Sequence, residues 1–412
     1  MKKTVKFFAG LLAFLSMGLS FSACSKEKKE KYLADQSNLY GVCYIAFEEV
    51  VQNENTDYVK IAELMNNMGV KSTRVWMRSN DLMKSPEEMN ETACEKMHAI
   101  LAELKKYDIQ IIGMNARSFT KYNAWSSAVP LRDWSDGSYY SEWIEDLQVM
   151  WKNLVSEFPE IDYWEIGNET NNKRKYIYED GREWKTADMT IAQMANVFTD
   201  ELYYITQSVK AVDPDKQTIL GGMTESTGLG SGLNKNFLQM IYNNIASEKY
   251  PSTDADDYFD CVAWHPYSAD FNEDFFVQEN DKVYQVILDN EGKGKKVFLT
   301  EVGWSDGGME REEVAENLKA VYSTIAKRMP YVEAVHYFRL FNDAREYSWG
   351  GTATDVGFGL FTDPAPGTKY KDMYNGEVCI PGMPKPAAYA FQELAGGTGD
   401  LTILQDYYST KN

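Results

Sequence analysis

DYVKIAELMNNMGVKSTRVWM, residues 57–77, is the stretch on which the fold reading turns. From Asp57 to Met68 apolar residues recur at three- and four-residue spacing, as on a helix with one buried face. Gly69 follows where a helix stop is expected. VKSTRVWM (70–77) is then β-rich. The same alternation extends in both directions. β-rich runs occur at 40–47 (YGVCYIAF), 70–77, 109–115 (IQIIGMN), 162–169 (DYWEIGNE), 216–223 (KQTILGGM), 260–267 (DCVAWHPY), 295–302 (KKVFLTEV) and 333–340 (EAVHYFRL). Helical patterns lie between them, for example at 86–107 and 311–329, and Pro214 punctuates another helix end.

Strands buried on both faces and alternating with helices imply a parallel sheet. Eight units make the expected fold a (β/α)8 TIM barrel of the α/β class, a single domain over residues 39–400 with a tail at 401–412. An open doubly wound sheet would carry a glycine-rich phosphate turn after its first strand. Here that strand runs into Glu48 and Glu49. GLGSG (228–232) lacks the spacing and the Lys-Ser/Thr ending of a phosphate loop and reads as a flexible loop. The excess length sits in 116–139, 170–189 and 341–385. All three follow strands, which in a barrel places them on the rim where active sites are built. They hold Trp125, Trp134, Tyr139, Asn171, Asn172 and Trp349.

The chain has 412 residues, 44% hydrophobic and 25% charged, the composition of a folded soluble protein and not of a disordered, collagen-like or polytopic one. Its net charge of −20 repels phosphate backbones, so nucleic acid is a poor partner, and a strongly anionic polysaccharide is disfavoured as well. Aromatic residues reach 14%, which fits either a large core or an aromatic-lined ligand cleft. There are three histidines, His98, His265 and His336, with no HExxH and no Cys/His cluster of zinc spacing. No metal and no cofactor is expected.

At the N-terminus Lys2, Lys3 and Lys6 precede an apolar run from Phe7 to Phe21, then Ser22-Ala23-Cys24. That is the pattern of a secretory signal peptide over 1–23, too short to span a bilayer comfortably. Cys24 directly after small residues resembles a bacterial lipobox, whose cysteine is acylated. The resemblance implies lipidation at Cys24, a charged tether over 24–38, and a lipid-anchored protein of the bacterial cell envelope. Cys43, Cys94, Cys261 and Cys379 remain; Cys43 and Cys261 lie in apolar runs and read as buried thiols, while four cysteines allow three pairings.

Two strand ends carry the chemistry. Tyr163-Trp164-Glu165-Ile166-Gly167-Asn168-Glu169-Thr170 ends the fourth strand, and Val297-Phe298-Leu299-Thr300-Glu301-Val302-Gly303-Trp304 the seventh. Across a small barrel two such glutamates can stand ~5–5.5 Å apart, the separation of a retaining glycosidase pair.

These motifs resemble the retaining glycoside hydrolases of clan A, whose acid/base is a Glu following Asn at the end of strand four and whose nucleophile is a Glu ending strand seven. Met68–Val75, with Arg74, resembles the clan's second strand, and His265-Pro266-Tyr267 its sixth-strand His-x-Tyr. The resemblance implies Glu301 as nucleophile and Glu169 as acid/base. It implies Arg74 and Tyr267 as the groups that keep Glu301 ionised, and Asn168 as the partner of the sugar 2-hydroxyl. Glu169 is expected to have a raised pKa, from burial and from the charge of Glu301. Three alternatives stay open. Arg74 pairs with Glu165 by strand alternation or reaches the nucleophile. His265 orients Glu169, binds sugar, or is packed; His336 reads as structural. Trp76, Trp264 and Trp304 stack on sugar or belong to the rim core.

Clan members often end strand eight with a Trp. Here it reads HYFRLF (336–341), so Phe338 or Phe341 takes that place or Trp349 reaches in. By wording the motifs stand nearest families 39 and 5. Family 39 members usually add a β-sandwich, for which the residues after the helix at 385–394 are too few. The implied partner is a neutral β-linked poly- or oligosaccharide. The alternative from another class is a non-catalytic, surface glycan-binding lipoprotein on a barrel scaffold. The anchor has its own test. Cys24→Ala should release the protein from membrane pellets or block its maturation; an unchanged distribution, with no acylated N-terminal peptide by mass spectrometry, would refute it.

Overall fold

The computed structural model describes residues 29–45, 57–116, 128–172, 174–180, 183–225, 228–343, 351–363 and 382–405. Cys24, Trp125, Trp349 and Cys379 lie outside them. The strands are β1 (Tyr40–Tyr44), β2 (Ser72–Trp76), β3 (Gln110–Asn115), β4 (Val129–Pro130), β5 (Tyr163–Ile166), β6 (Lys175–Asp180), β7 (Glu183–Asp188), β8 (Gln217–Thr224), β9 (Cys261–His265), β10 (Lys296–Val302) and β11 (Val332–Tyr337). The helices are α1 (Tyr58–Met68), α2 (Ser79–Leu82), α3 (Glu91–Lys105), α4 (Tyr139–Glu157), α5 (Ile191–Val212), α6 (Leu233–Ile245), α7 (Glu273–Glu291), α8 (Arg311–Arg328), α9 (Ala353–Val356) and α10 (Pro386–Ala395).

β1-β11-β10-β9-β8-β5-β3-β2 close into a parallel barrel, and each of these strands lies within one of the eight β-rich runs or departs from it by a single residue. Inward positions form an apolar lower layer of Ile112, Tyr163, Ile219, Cys261, Ala263, Phe298 and Ala334. The outward face packs on the helices, with Trp151 edge-on to Trp164 at 5.7 Å. Local chemistry sets the boundaries. Asp57 caps α1 by accepting from the Val59 and Lys60 amides, and Gly69 ends it at φ 81°, a conformation that suits glycine.

The structure departs from the sequence reading in three places. The helix expected from residue 86 begins at Glu91, because the Asn90 amide donates to the Leu82 carbonyl and its side chain to that of Asp81. The long connections at 116–139 and 170–189 are not plain loops: they build a small sheet, with β4 parallel to β6 and β6 antiparallel to β7. The GLGSG stretch is a loop, as read, and leads into α6 with Gly232 at its N-cap. The expected tether is docked from Lys29 onward. Glu30 bonds the backbone of Gly292 and Gly294, the Tyr32 hydroxyl donates to Glu333 at 3.0 Å, and the Ala34 amide donates to the Pro330 carbonyl at 2.7 Å. These partners sit where β10 and β11 begin, so the segment lies against the barrel face opposite the strand C-termini. The described Cys43, Cys94 and Cys261 are free, buried thiols. Among the described residues no helix is long and apolar enough to cross a membrane.

β5 and β8 approach so closely that a Cβ on Gly221 would stand 2.2 Å from the Ile166 carbonyl oxygen and 2.3 Å from that of Gly167. Both obstacles are backbone and cannot swing away. Gly221→Ala should therefore lower the unfolding free energy by about 3 kcal/mol, measured from urea denaturation.

Candidate active site

Arg74 and Glu165 point into the barrel from β2 and β5, and both are fully buried. The Arg74 guanidinium donates to Glu165 through Nε (2.5 Å) and Nη2 (3.2 Å), to Glu301 Oε1 through Nη1 (2.6 Å) and to Asn168 Oδ1 through Nη2 (2.8 Å). Both readings of Arg74 therefore hold at once. The two carboxylates raise its pKa against the opposing effect of burial. Tyr267 donates to the other oxygen of Glu301 at 2.8 Å, and burial, then that negative charge, push its own pKa well above the usual value. Glu301 is held at both oxygens.

Glu169 stands on a turn that reverses direction just beyond β5. Gly167 has φ 85° and Glu169 itself φ 48°, a left-handed conformation uncommon for a residue with a side chain. The Glu169 amide donates to the Gly222 carbonyl at 2.7 Å, which anchors the turn on β8. The side chain is 28% exposed, against 7% for Glu301. Its Oε1 lies 3.3 Å from His265 Nδ1, and its Oε2 accepts from Asn172 at 3.4 Å. Burial pushes the Glu169 carboxyl up, but the hydrogen bond and charge of His265, with hydrogen bonds from Asn172 and Thr224, outweigh it and leave the pKa below the usual range. The expected upward shift is thus corrected: the imidazole beside Glu169 favours the carboxylate.

Oxygen atoms of Glu169 and Glu301 and a ring nitrogen of His265 lie within 4.8 Å of one another. Such a cluster could in principle ligate an ion. Here both Glu301 oxygens already take donors and the Arg74 cation stands against one of them, so a second cation would meet repulsion. His265 is fully buried, and its Nε2 lies 3.1 Å from Thr300 Oγ1. His336, deeper on β11, is packed: burial and the charge of Arg74 lower its pKa to about 3.

The aromatic candidates separate. Trp76, two residues beyond Arg74 on the inward face of β2, stays partly exposed at the mouth. Trp304 is 5% exposed, edge-on to Phe271, and Trp264 is buried with its indole N–H on Asn280 at 2.5 Å. Both belong to the core, and Trp304 offers no open face for stacking. Phe341 is buried beside Phe361, whereas Phe338 keeps some exposure. Phe338 packs edge-on to Phe358 at 5.6 Å, which in turn meets Tyr267 at 6.0 Å. Phe358 was not legible, because it arrives from a loop without periodicity. Thr300 was missed despite a visible signal, a polar residue inside the apolar run KVFLTEV.

No family model and no curated protein matches the chain. Solved structures do. A family 39 glycoside hydrolase from Bacteroides cellulosilyticus WH2 superposes with a TM-score of 0.59 and 17% identity, over 88% of this chain and 65% of that one. A broad-specificity GH5-4 endoglucanase from Clostridium acetobutylicum gives 0.55 and 10%, over 88% of this chain and 100% of that one. An exo-β-1,4-mannosidase from Opitutaceae bacterium strain TAV5 gives 0.55 and 13%, over 90% and 61%. The chain spans about two thirds or less of the family 39 and mannosidase structures. It has the fold of these glycoside hydrolase barrels.

His336 supplies a pH test of the barrel interior. Unfolded, its ring takes a proton below about pH 6.5, whereas folded it stays neutral down to about 3. The unfolded state then binds more protons, so stability should be lost as the pH is lowered through that window, by up to about 1.4 kcal/mol per pH unit. His336→Leu should remove this slope, measured by urea unfolding at pH 7, 6, 5 and 4.

Proposed function

We propose that the chain is a retaining glycoside hydrolase acting on a neutral β-linked poly- or oligosaccharide, with Glu301 as nucleophile and Glu169 as acid/base. One observation carries the reading: Glu169 and Glu301 come together at the barrel mouth, each with one oxygen within 4.8 Å of one oxygen of the other. Retaining enzymes place the pair ~5–5.5 Å apart, while inverting enzymes need ~6.5–9.5 Å to admit a water.

Each side chain fits a role in double displacement. Arg74 and Tyr267 hold Glu301 by both oxygens and aim it at the anomeric carbon. Attack forms the glycosyl ester as the C–O bond to the leaving group breaks, and Glu169 delivers the proton that this oxygen takes. Glu169 then removes a proton from water, which attacks the same carbon and frees Glu301. Asn168 has its Oδ1 committed to Arg74, which leaves the NH2 side of the amide to donate to the sugar 2-hydroxyl. Trp76 and Phe338 supply partly exposed rings at the mouth. Inside the site one guanidinium faces two carboxylates, and the whole chain carries −20, which disfavours acidic sugars. A glycan-binding protein without catalysis has no need of two carboxylates at this separation.

Acylation at Cys24 would anchor the chain in the cell envelope. The segment beyond it docks on the barrel face away from the strand C-termini, so the anchor would present the mouth away from the lipid.

The test begins with reducing-sugar release from a panel of neutral β-glycans that includes β-1,4-mannan. On the active substrate Glu301→Ala should lower kcat on the order of 10⁵-fold. Glu169→Ala should lower it about 10²–10⁴-fold on poor leaving groups and far less on acidic phenols, with azide restoring rate and giving the azide of unchanged anomeric configuration. First release of the inverted anomer by proton NMR, or substantial activity in Glu301→Ala, would overturn the assignment.

A further inference from the structure

Hydrogen bonds join the acid/base to the nucleophile through the barrel interior. Glu169 Oε1 meets His265 Nδ1 (3.3 Å), and His265 Nε2 meets Thr300 Oγ1 (3.1 Å). The Thr300 hydroxyl donates to Glu165 Oε1 (3.0 Å), Arg74 donates to Glu165, and Arg74 donates to Glu301. Counting hydrogens along this chain leaves little freedom. Glu165, paired with a guanidinium and accepting also from the Gly222 amide at 2.8 Å, is an acceptor only. The single hydroxyl hydrogen of Thr300 therefore goes to Glu165. Its oxygen is left to accept, so His265 Nε2 carries a hydrogen.

That assignment governs the other end of the ring. With Nε2 protonated, a neutral His265 presents a bare Nδ1 to Glu169 Oε1, and two lone pairs at 3.3 Å repel. One further proton between Nδ1 and Glu169 removes the conflict. Glu301 Oε2 lies 3.6 Å from Nδ1 but already accepts from Tyr267, so the shared proton belongs with Glu169. The charged and titratable groups around the ring are those of Arg74 on β2, Glu165 and Glu169 on and after β5, Tyr267 after β9, Glu301 on β10 and the Cys43 thiol on β1, whose Sγ lies 3.1 Å from the Thr300 carbonyl oxygen. Water cannot replace Thr300 as acceptor. His265 is fully buried, and a Cβ on Gly222 would stand 2.0 Å from Nε2 and 2.8 Å from Thr300 Oγ1.

We propose that Thr300, held by Glu165, fixes the tautomer of His265 and thereby keeps the proton used in hydrolysis between His265 Nδ1 and Glu169. Thr300 is then a positioning residue, and the role of that proton rests on the hydrolase reading above. Losing the proton would leave two acceptors face to face, an arrangement that an imidazole free to carry its hydrogen on Nδ1 would avoid. Thr300→Val removes the acceptor from Nε2. The ring can then hold its hydrogen on Nδ1, facing an ionised Glu169, and the extra proton leaves more easily.

With only three histidines, a ligand-free protein labelled with 15N-histidine resolves this directly. Wild type and Thr300→Ser should show the Nε2–H ring at His265, and Thr300→Val the Nδ1–H ring. On the glycoside that wild type hydrolyses, Thr300→Val should move the basic limb of kcat/KM down by about one pH unit. It should slow poor leaving groups more than acidic phenols, and Thr300→Ser should restore both. A bare Nε2 in wild type overturns the proposal even if the valine variant does not fold. So does a Thr300→Val enzyme whose basic limb is unmoved, whatever its overall rate. A wild type with the expected ring but no turnover on any glycoside overturns the hydrolase reading, and with it the role of the proton, while leaving the tautomer assignment in place.

Discussion

One guanidinium holds the interior of this barrel together. Arg74 has no contact with solvent and faces two carboxylates, Glu165 beneath and Glu301 at the mouth. A buried charge without a partner costs several kcal/mol, and removing one member of a buried set typically costs about 3–5 kcal/mol because the others are left uncompensated. The set carries one positive and two negative charges, so it cannot be neutral by itself. Donors from outside it, the Thr300 hydroxyl, the Gly222 amide and Tyr267, spread the remaining charge over hydrogen bonds. The same arrangement that makes the buried pair tolerable also fixes the rotamer of Glu301.

The backbone supplies the second constraint. β5 and β8 are brought into contact by paired glycines, Gly221 against the carbonyls of Ile166 and Gly167, and Gly222 against His265 and Thr300. The approach lets the Glu169 amide bond to Gly222 and holds the left-handed turn that carries Glu169. A residue in that conformation stores on the order of 1 kcal/mol of strain, which the anchored turn must over-determine. The placement of Glu169 is thus a consequence of strand packing.

The aromatic surplus has a plainer explanation than a lined cleft. Trp143, Trp151, Trp164 and Trp264 are among the largest fully buried side chains, and Tyr40 stacks on Tyr322 with Phe391 edge-on to both where β1 meets α8 and α10. Each buried ring contributes roughly 1.5–3 kcal/mol of apolar transfer, and a barrel wrapped by helices has two concentric interfaces to fill. Among the described residues the mouth keeps Trp76, Phe338 and Phe358 partly exposed.

β-rich apolar runs separated by period-3.6 runs were enough to predict the barrel, because the barrel strands are buried on both faces and the helices between them on one. WEIGNE and TEVGWS placed Glu169 and Glu301 on strand ends for the same reason: a carboxylate is admitted to an apolar strand only where the strand meets a solvated rim or a buried partner. Contacts between residues far apart in the chain were not readable. Arg74 joins Glu165, Asn168 and Glu301 from three directions at once, and Trp304, alike in sequence context to Trp76, is closed off by Phe271. The downward direction of the Glu169 pKa shift was likewise hidden, since it depends on which nitrogen of His265 stands 3.3 Å away. A linear pattern specifies which face of an element is buried. Which partner meets that face, and at what distance, is set by how the barrel closes, and the charge state of a buried carboxyl follows from that distance.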